Sequence, residues 1–444
     1  MNQTSVPAAS WSETPLARML SPLQTFIHSE TASGIVLMSS TVLALILANS
    51  PLAGPYNDFL HAYITISAGP LTLKATVLHW INDGLMAVFF FLVGLELKRE
   101  ALVGELSNLR QAALPFVAAV GGAITPALLY LLLNARGAGR GGWGVPMATD
   151  IAFALGVLAL VGDRVPWTLK VFLTAVAVID DLLAVLVIAL FYSGGLNVAA
   201  LGVGIGVLLV LALLNVLGIR ATLVYGALGL VVWVAFLQSG LHATLAGVLV
   251  ALTIPARRRI DEAGFVQRVR TLVAYFEGRE ATATPMLVDE RQQSVVLELE
   301  DACEAVQAPL QKLEHQLHLW VAFGIVPLFA LANAGVRLSL EGISGPGLLI
   351  VVGTVLGLVV GKPLGLVGLS WVLVRTGVAA LPQGVRWAHM VGAGCLAGLG
   401  FTMSLLIASL GFGESPLLEA AKLGILTASL IAGVLGFTLL RRVR

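Results

Sequence analysis

About a dozen times between residues 32 and 440 the sequence returns to an apolar run long enough, as a helix, to cross the hydrocarbon core of a bilayer. Hydrocarbon offers backbone N–H and C=O groups no partner, so such a run must satisfy them within its own segment, as an α-helix does. The runs lie at 32–50, 78–97, 110–134, 142–162, 168–193, 197–217, 221–237, 239–253, 318–336, 346–374, 386–410 and 415–440, the eighth being short for a full span. Only 11% of the 444 residues are charged and 58% are hydrophobic, whereas a soluble domain carries about 25% charged residues. The expected fold class is all-α and integral to a membrane, with about 12 transmembrane helices. A net charge of +1 leaves no basic footprint, and no nucleic-acid partner is expected.

Positive charge orients the spans. With the N-terminus inside, twelve Lys and Arg side chains, from Arg18 to Arg444, fall in or beside the inner segments, and four (Lys74, Arg136, Arg140, Arg337) fall outside. The bias places both termini in the cytoplasm, and an odd span count would destroy it. Residues 1–20 form a polar cytoplasmic tail without the apolar core of a signal peptide, so no cleaved leader is expected. The membrane domain is then 21–444. Cys303 lies in a polar stretch and Cys395 in an apolar one, which points away from a disulfide framework.

Two segments do not read as spans. Residues 63–74 alternate apolar and polar side chains about an Ala-Gly-Pro turn, the pattern of a small external β-hairpin. Residues 254–317 form a polar cytoplasmic insert that opens on Arg257-Arg258-Arg259. Within it Phe265, Val269, Leu272 and Phe276 share one helical face, as do Val295, Leu299, Ala302 and Val306, which reads as a small helical cap.

Ionisable side chains inside spans are costly and tend to mark function. Asp180 and Asp181 stand side by side in Val-Ala-Val-Ile-Asp-Asp-Leu-Leu-Ala-Val-Leu-Val, with no polar neighbour in sequence. Two adjacent carboxylates do not both ionise cheaply in a medium of low dielectric, so this is a place for protons and a cation to compete. On a helix the two side chains diverge by about 100° and reach different partners. The competing reading is a hydrogen-bonded pair at a helix interface. Asp150 lies in Gly-Val-Pro-Met-Ala-Thr-Asp-Ile-Ala-Phe-Ala-Leu-Gly, where Pro146, Gly144 and Thr149 permit a helix break; broken helices carry ion sites in transporters. A kink capped by an Asp is the alternative.

Lys362, in Leu-Val-Val-Gly-Lys-Pro-Leu-Gly-Leu, sits deep in the tenth run and needs a counter-charge, for which Asp180 or Asp181 is the natural partner. A purely structural ion pair is the alternative. Residues 392–404 (Gly-Ala-Gly-Cys-Leu-Ala-Gly-Leu-Gly-Phe-Thr-Met-Ser) have the same loose, hydroxyl-bearing character as the fourth run. Spans 3–5 and 10–12 start on opposite sides of the membrane, each with an interrupted middle helix, which is the pattern of an inverted-topology repeat. Asp83 reads as a capping or tertiary contact at the outer end of span 2. Glu96, Lys98, Arg99 and Glu100 read equally as snorkelling interfacial charges or as regulators. His242 is either a satisfied structural group or a sensor.

Several stretches resemble the NhaA-type sodium/proton antiporters: residues 80–100 (Trp-Ile-Asn-Asp-Gly through Lys-Arg-Glu), 148–160 (Ala-Thr-Asp-Ile-Ala-Phe-Ala-Leu-Gly-Val-Leu-Ala-Leu), Ile179-Asp180-Asp181, Ser-Gly-Leu-His-Ala-Thr-Leu-Ala-Gly at 239–247, Pro-Leu-Phe-Ala-Leu-Ala-Asn-Ala-Gly-Val at 327–336, Gly-Lys-Pro-Leu-Gly at 361–365 and Gly-Phe-Thr-Met-Ser at 400–404. They follow the family's order over about residues 25–440. The resemblance implies two broken helices crossing at the midplane, and a secondary transporter, not an enzyme. That transporter exchanges Na+ or Li+ for H+ across a bacterial inner membrane, electrogenically and under pH control, without a cofactor. By position it makes Asp150, Asp181 and Thr149 the cation site, and Asp180, Asp181 and Lys362 the proton carriers. Glu96, Glu100, His242, Glu314, His315 and His318 match positions linked to pH response. Residues 63–74 match an element that joins two copies in a homodimer. The insert is much longer than the family's usual short loop, and Gln311 and Leu319 interrupt the basic, proline-containing run expected around Lys312-Leu313-Glu314-His315.

Two other classes of membrane protein also bury carboxylates or pass cations. An intramembrane aspartyl protease would need aspartates on separate spans in Tyr-Asp and Gly-x-Gly-Asp; neither motif is present. A passive channel is the second, but carboxylates buried with a lysine favour binding and protonation over fast conduction.

Overall fold

The computed structural model describes residues 32–68, 71–277, 290–337 and 345–443. The tail 1–20, the Gly69-Pro70 tip of the hairpin and the middle of the insert (278–289) lie outside the described residues. The chain begins with α1 (Ala32–Ala48), which turns through 111° into α2 (Ala53–His61). Strands β1 (Tyr63–Ala68) and β2 (Leu71–Thr76) follow, then α3 (Val77–Val103) and α4 (Leu109–Asn134). Two 3-10 turns, Ala138–Gly142 and Val145–Met147, lead at a 44° bend into α5 (Ile151–Val161). Next come α6 (Trp167–Phe191), α7 (Val198–Val216), α8 (Thr222–Ser239) and the ten-residue α9 (Thr244–Thr253). The insert supplies α10 (Glu262–Glu277) and α11 (Glu290–Val306). The last elements are α12 (Pro309–Asn333), α13 (Pro346–Arg375), α14 (Trp387–Ala397), α15 (Phe401–Phe412), bent 43° from α14, and α16 (Pro416–Arg442).

Eight of these helices (α3, α4, α6, α7, α8, α12, α13 and α16) are long and apolar enough to cross a membrane, and up to eleven spans result if each bent pair is one crossing. The short eighth run appears as α9. Gly240, at φ +83°, ends α8 in the left-handed region, and a Cβ there would strike the backbone of Gly195; only glycine meets both demands. Helix does not resume until Thr244, which leaves α9 ten residues.

Three local differences from the sequence reading have physical causes. The first span does not end the helical structure at residue 50, because α2 forms and is anchored by Tyr56 Oη donating to the Leu331 carbonyl at 2.5 Å. The β-hairpin extends to Thr76, paired with Tyr63, instead of closing at 74. The helix that carries the ninth span starts at Pro309, ahead of the apolar run at 318, so the last part of the insert is helical and continuous with that span. Pro309 occupies the first turn of α12, where its fixed φ and missing N–H suit a helix start, and the helix then runs on through the polar stretch Gln311–His318. Within the insert α10 packs on α11, burying Leu272, Val295 and Ala302 of the two expected stripes, whereas Phe276 of the first stripe is exposed.

The hairpin leaves Tyr63, Ile64 and Ile66 exposed; Trp80 Nε1 donates to the Ile64 carbonyl at 3.4 Å and ties it to α3. An isolated two-stranded ribbon is marginal in water, so this exposed apolar face is open to a further contact.

Close backbone approach sets the position of α13. A Cβ on Gly121 of α4 would lie 2.9 Å from the carbonyl carbon of Gly365, and one on Gly361 would lie 2.8 Å from Pro126 Cα. Small residues let the two helices touch along their backbones. A π turn at Gly357–Gly361 directly precedes Lys362; such bulges concentrate at functional sites. α6 is the most deeply buried of the long helices, so its two adjacent aspartates face protein and not lipid.

Candidate functional site

The bent pairs at α5 and at α14–α15 break where helical hydrogen bonds are given up. Between Met147 and Ile151 the backbone is extended at Ala148 (φ −87°, ψ 153°) and Asp150 (φ −90°, ψ 104°); between Ala397 and Phe401 it loosens over Gly398–Gly400. Backbone groups freed inside a protein need new partners, and here the two breaks supply each other. The Asp150 N–H donates to the Leu399 carbonyl at 2.5 Å, Thr149 Oγ1 lies 2.8 Å from the Ala397 carbonyl, and Ser404 Oγ donates to the Val145 carbonyl at 2.7 Å.

Asp150 stands at two helix N-termini at once. Its Oδ1 accepts the Phe153 N–H at 3.0 Å and caps α5; its Oδ2 accepts the Thr402 N–H at 3.1 Å and the Thr402 hydroxyl at 2.6 Å in the first turn of α15. Carboxylates are favoured there because the first N–H groups of a helix lack partners and carry a partial positive charge. Lys362 serves the opposite pole. Its Nζ donates to the carbonyl of Met147, the last residue of the 3-10 turn before the break.

The same Nζ lies 2.8 Å from Asp180 Oδ2, and both side chains are fully buried. Thr149 Oγ1 lies 2.7 Å from that carboxylate oxygen, so one threonine touches α6, its own break and the α14–α15 break. Asp181, 1% exposed, is the next residue of α6; its Oδ1 is buried without a hydrogen-bond partner, as is Oδ1 of Asp180. Asp181 lies in the fields of Asp180, Asp150, Glu96 and Lys362.

The structure therefore brings Thr149, Asp150, Asp180, Asp181 and Lys362 into one buried cluster drawn from α5, α6, α13 and the α14–α15 break. It holds three carboxylates and one ammonium, with two carboxylate oxygens left unsatisfied. All the free donors are hard oxygen atoms, which suit a hard cation. Thr402 and the carbonyls of Met147, Ala397 and Leu399 complete the cluster. None of them is marked individually in the sequence, where Thr402 is one of the hydroxyls of the loose stretch 392–404.

The other candidate residues fall into two groups. Arg99, near the end of α3, pairs with Glu100 at 3.0 Å and with Glu314 of α12 at 3.0 Å. Glu96 and His318 lie in the field of Glu314. Lys98 Nζ donates to the carbonyls of Leu252 (2.7 Å) and Ile254 (2.5 Å) at the end of α9. His315 is exposed and is not drawn into this group. His242 lies at the other end of α9, its Nε2 2.7 Å from the Tyr192 carbonyl, and it shares the field of Asp83 with His79.

A family model described as Na+/H+ antiporter 1 matches residues 24–440. The chain is 48% identical to a protein named Na(+)/H(+) antiporter NhaA from Oleidesulfovibrio alaskensis, over 99% of this chain and 98% of the relative. It is 48% identical to Na(+)/H(+) antiporter NhaA 2 of Syntrophotalea carbinolica, over 96% and 98%, and 46% identical to an NhaA of Koribacter versatilis, over 96% and 93%.

Proposed function

This chain belongs to the Na+/H+ antiporter 1 family, and from that premise we propose how its buried cluster carries out the exchange. It is a multi-pass bacterial membrane protein and a secondary transporter, not an enzyme, and it exchanges Na+ for H+. In our reading Asp181 and Asp150 take the cation, with Thr149 adjacent, and Asp180, Asp181 and Lys362 carry the protons. The observation behind this is charge balance. Lys362 offsets Asp180, and two helix N-termini offset Asp150, but Asp181 Oδ1 has no partner. A buried ionised carboxylate without a counter-charge is too costly to persist, so Asp181 is occupied by a proton or by a cation in turn.

The cycle follows. With the Lys362–Asp180 pair closed and Asp181 unprotonated, Na+ or Li+ binds at Asp181 and Asp150. On the other side of the membrane protons displace the cation, one on Asp181 and one at the Asp180–Lys362 pair, which opens. More than one proton against one cation makes the exchange electrogenic. The crossing breaks at 148–150 and 398–400 support the reading of α4–α6 and α13–α16 as inverted repeats within a twelve-span bundle, α9 being the shortest span.

We place both termini in the cytoplasm of a bacterial inner membrane from the Lys and Arg bias. The Arg99 cluster, with Glu96, Glu100, Glu314 and His318, then faces the cytoplasm and adjusts activity to pH. His315 beside it and His242 at the outer mouth carry the same regulatory proposal. The exposed apolar hairpin joins two copies as a homodimer. Proton movement driven by Na+ in proteoliposomes bearing an imposed pH gradient tests the whole reading. Asp181→Asn should abolish it, and near-normal exchange in that variant would defeat the competition model.

A further inference from the structure

Asp150 accepts from Phe153 N–H on Oδ1 and from Thr402 N–H and Thr402 Oγ1 on Oδ2, and the Ala152 N–H is a further backbone donor to it. A carboxylate offers about four acceptor positions, two on each oxygen. Oδ2 is therefore filled. The donors are not equivalent. The N–H groups belong to helix first turns and would be left unpaired if Asp150 moved away. The Thr402 hydroxyl, buried and 2.6 Å from Oδ2, turns about a single bond and can leave without disturbing either helix. Any cation that ligates Asp150 through Oδ2 must displace it.

We propose that Thr402 is a positioning residue whose hydroxyl holds Asp150 between the N-termini of α5 and α15 and competes with the transported cation for Asp150 Oδ2. The proposal deepens the reading of Asp150 as a cation ligand and rests on it. It assigns the two threonines different tasks. Thr149 lies between Asp180 and the Ala397 carbonyl, with one hydroxyl hydrogen for two acceptors 2.7 and 2.8 Å away, and its oxygen faces the proton-carrying pair. Thr402 has one carboxylate partner, and its hydrogen bond disappears each time the cation arrives. Such a competitor lowers cation affinity and thereby helps release after transport. It also links occupancy of Asp150 to the contact between the two broken helices.

The test compares Thr402→Val, which keeps the side-chain shape and the backbone N–H, with Thr402→Ser, which keeps the hydroxyl. One hydrogen bond to a charged group corresponds to about a tenfold change in binding. In Thr402→Val the KM for Na+ and for Li+ on the alkaline plateau should fall about tenfold, with no rise in kcat, and Thr402→Ser should retain the wild-type KM. Na+-dependent thermal stabilisation of the purified protein should reach its midpoint at correspondingly lower Na+. Thr402→Ala provides the same readout should the valine variant fail to insert. A purely structural role would reduce folded protein or kcat without lowering KM. An unchanged or raised KM in Thr402→Val and Thr402→Ala overturns the proposal. Asp150→Asn separates this from the premise: wild-type Na+ binding in that variant would refute Asp150 as a ligand, whereas lost binding there with unchanged KM in Thr402→Val would refute only the competition.

Discussion

Lys362 Nζ lies 2.8 Å from Asp180 Oδ2 and also donates to the Met147 carbonyl. One ammonium thus satisfies a carboxylate on α6 and the C-terminal pole of the turn that precedes α5. A buried pair with a backbone anchor differs from an exposed salt bridge, which contributes little. Removing one partner strands the other charge in the interior, at a cost on the order of 3–5 kcal/mol.

Lys362→Ala should therefore lower the unfolding temperature of the purified protein as well as its transport. Lys362→Arg keeps the charge but not the readiness to give up a proton, and its planar fork does not reproduce the lysine contacts. It should recover thermal stability more fully than proton coupling. The reversal potential in proteoliposomes decides between the two roles of the lysine: fewer protons per Na+ in the arginine variant marks a carrier, and identical values mark a structural pair.

Deletion of residues 64–73 removes nearly all of β1 and half of β2, but no residue of the buried cluster. Transport per correctly inserted molecule should be unchanged, while the homodimer dissociates at higher protein concentration, as followed by light scattering or cross-linking. Loss of exchange in a deletion variant that still inserts would contradict this assignment.

Arg99→Ala breaks the ion pair to Glu314 that links α3 with α12 and the pair to Glu100 within α3, and leaves every contact of Asp150, Asp180 and Asp181 in place. The pH dependence of exchange should shift while KM for Na+ on the alkaline plateau stays at the wild-type value. A tenfold rise in that KM with no change in the pH profile would place Arg99 in the cation path instead.

Asp150, Asp180, Asp181 and Lys362 stand out in the sequence because a charge inside an apolar run carries its cost openly. The breaks at 148–150 and 398–400 were marked by Pro146 and by the glycines from 392 to 400. Thr402 was not distinguishable in this way. Hydroxyls in these helices ordinarily bond back to their own backbone, as Thr41 does to the Leu37 carbonyl at 2.9 Å and Thr174 to that of Lys170 at 3.0 Å, and nothing local marks one that does not. The carbonyls of Met147 and Leu399 carry no side-chain signature at all; their role appears only when segments more than 200 residues apart meet. The start of α12 at Pro309 was hidden for a related reason. Hydropathy reports where a helix becomes apolar, not where it begins, and the polar turns from Gln311 to His318 precede the apolar part.

Competition between the cation and protons for the same buried carboxylates is tested most directly by counting protons released when Na+ is added to the purified protein in weakly buffered detergent solution. Wild type at a pH where the empty site is protonated should release more than one proton for each Na+ bound. Asp181→Asn should release none. Saturable Na+ binding to the wild type without proton release would contradict the shared site.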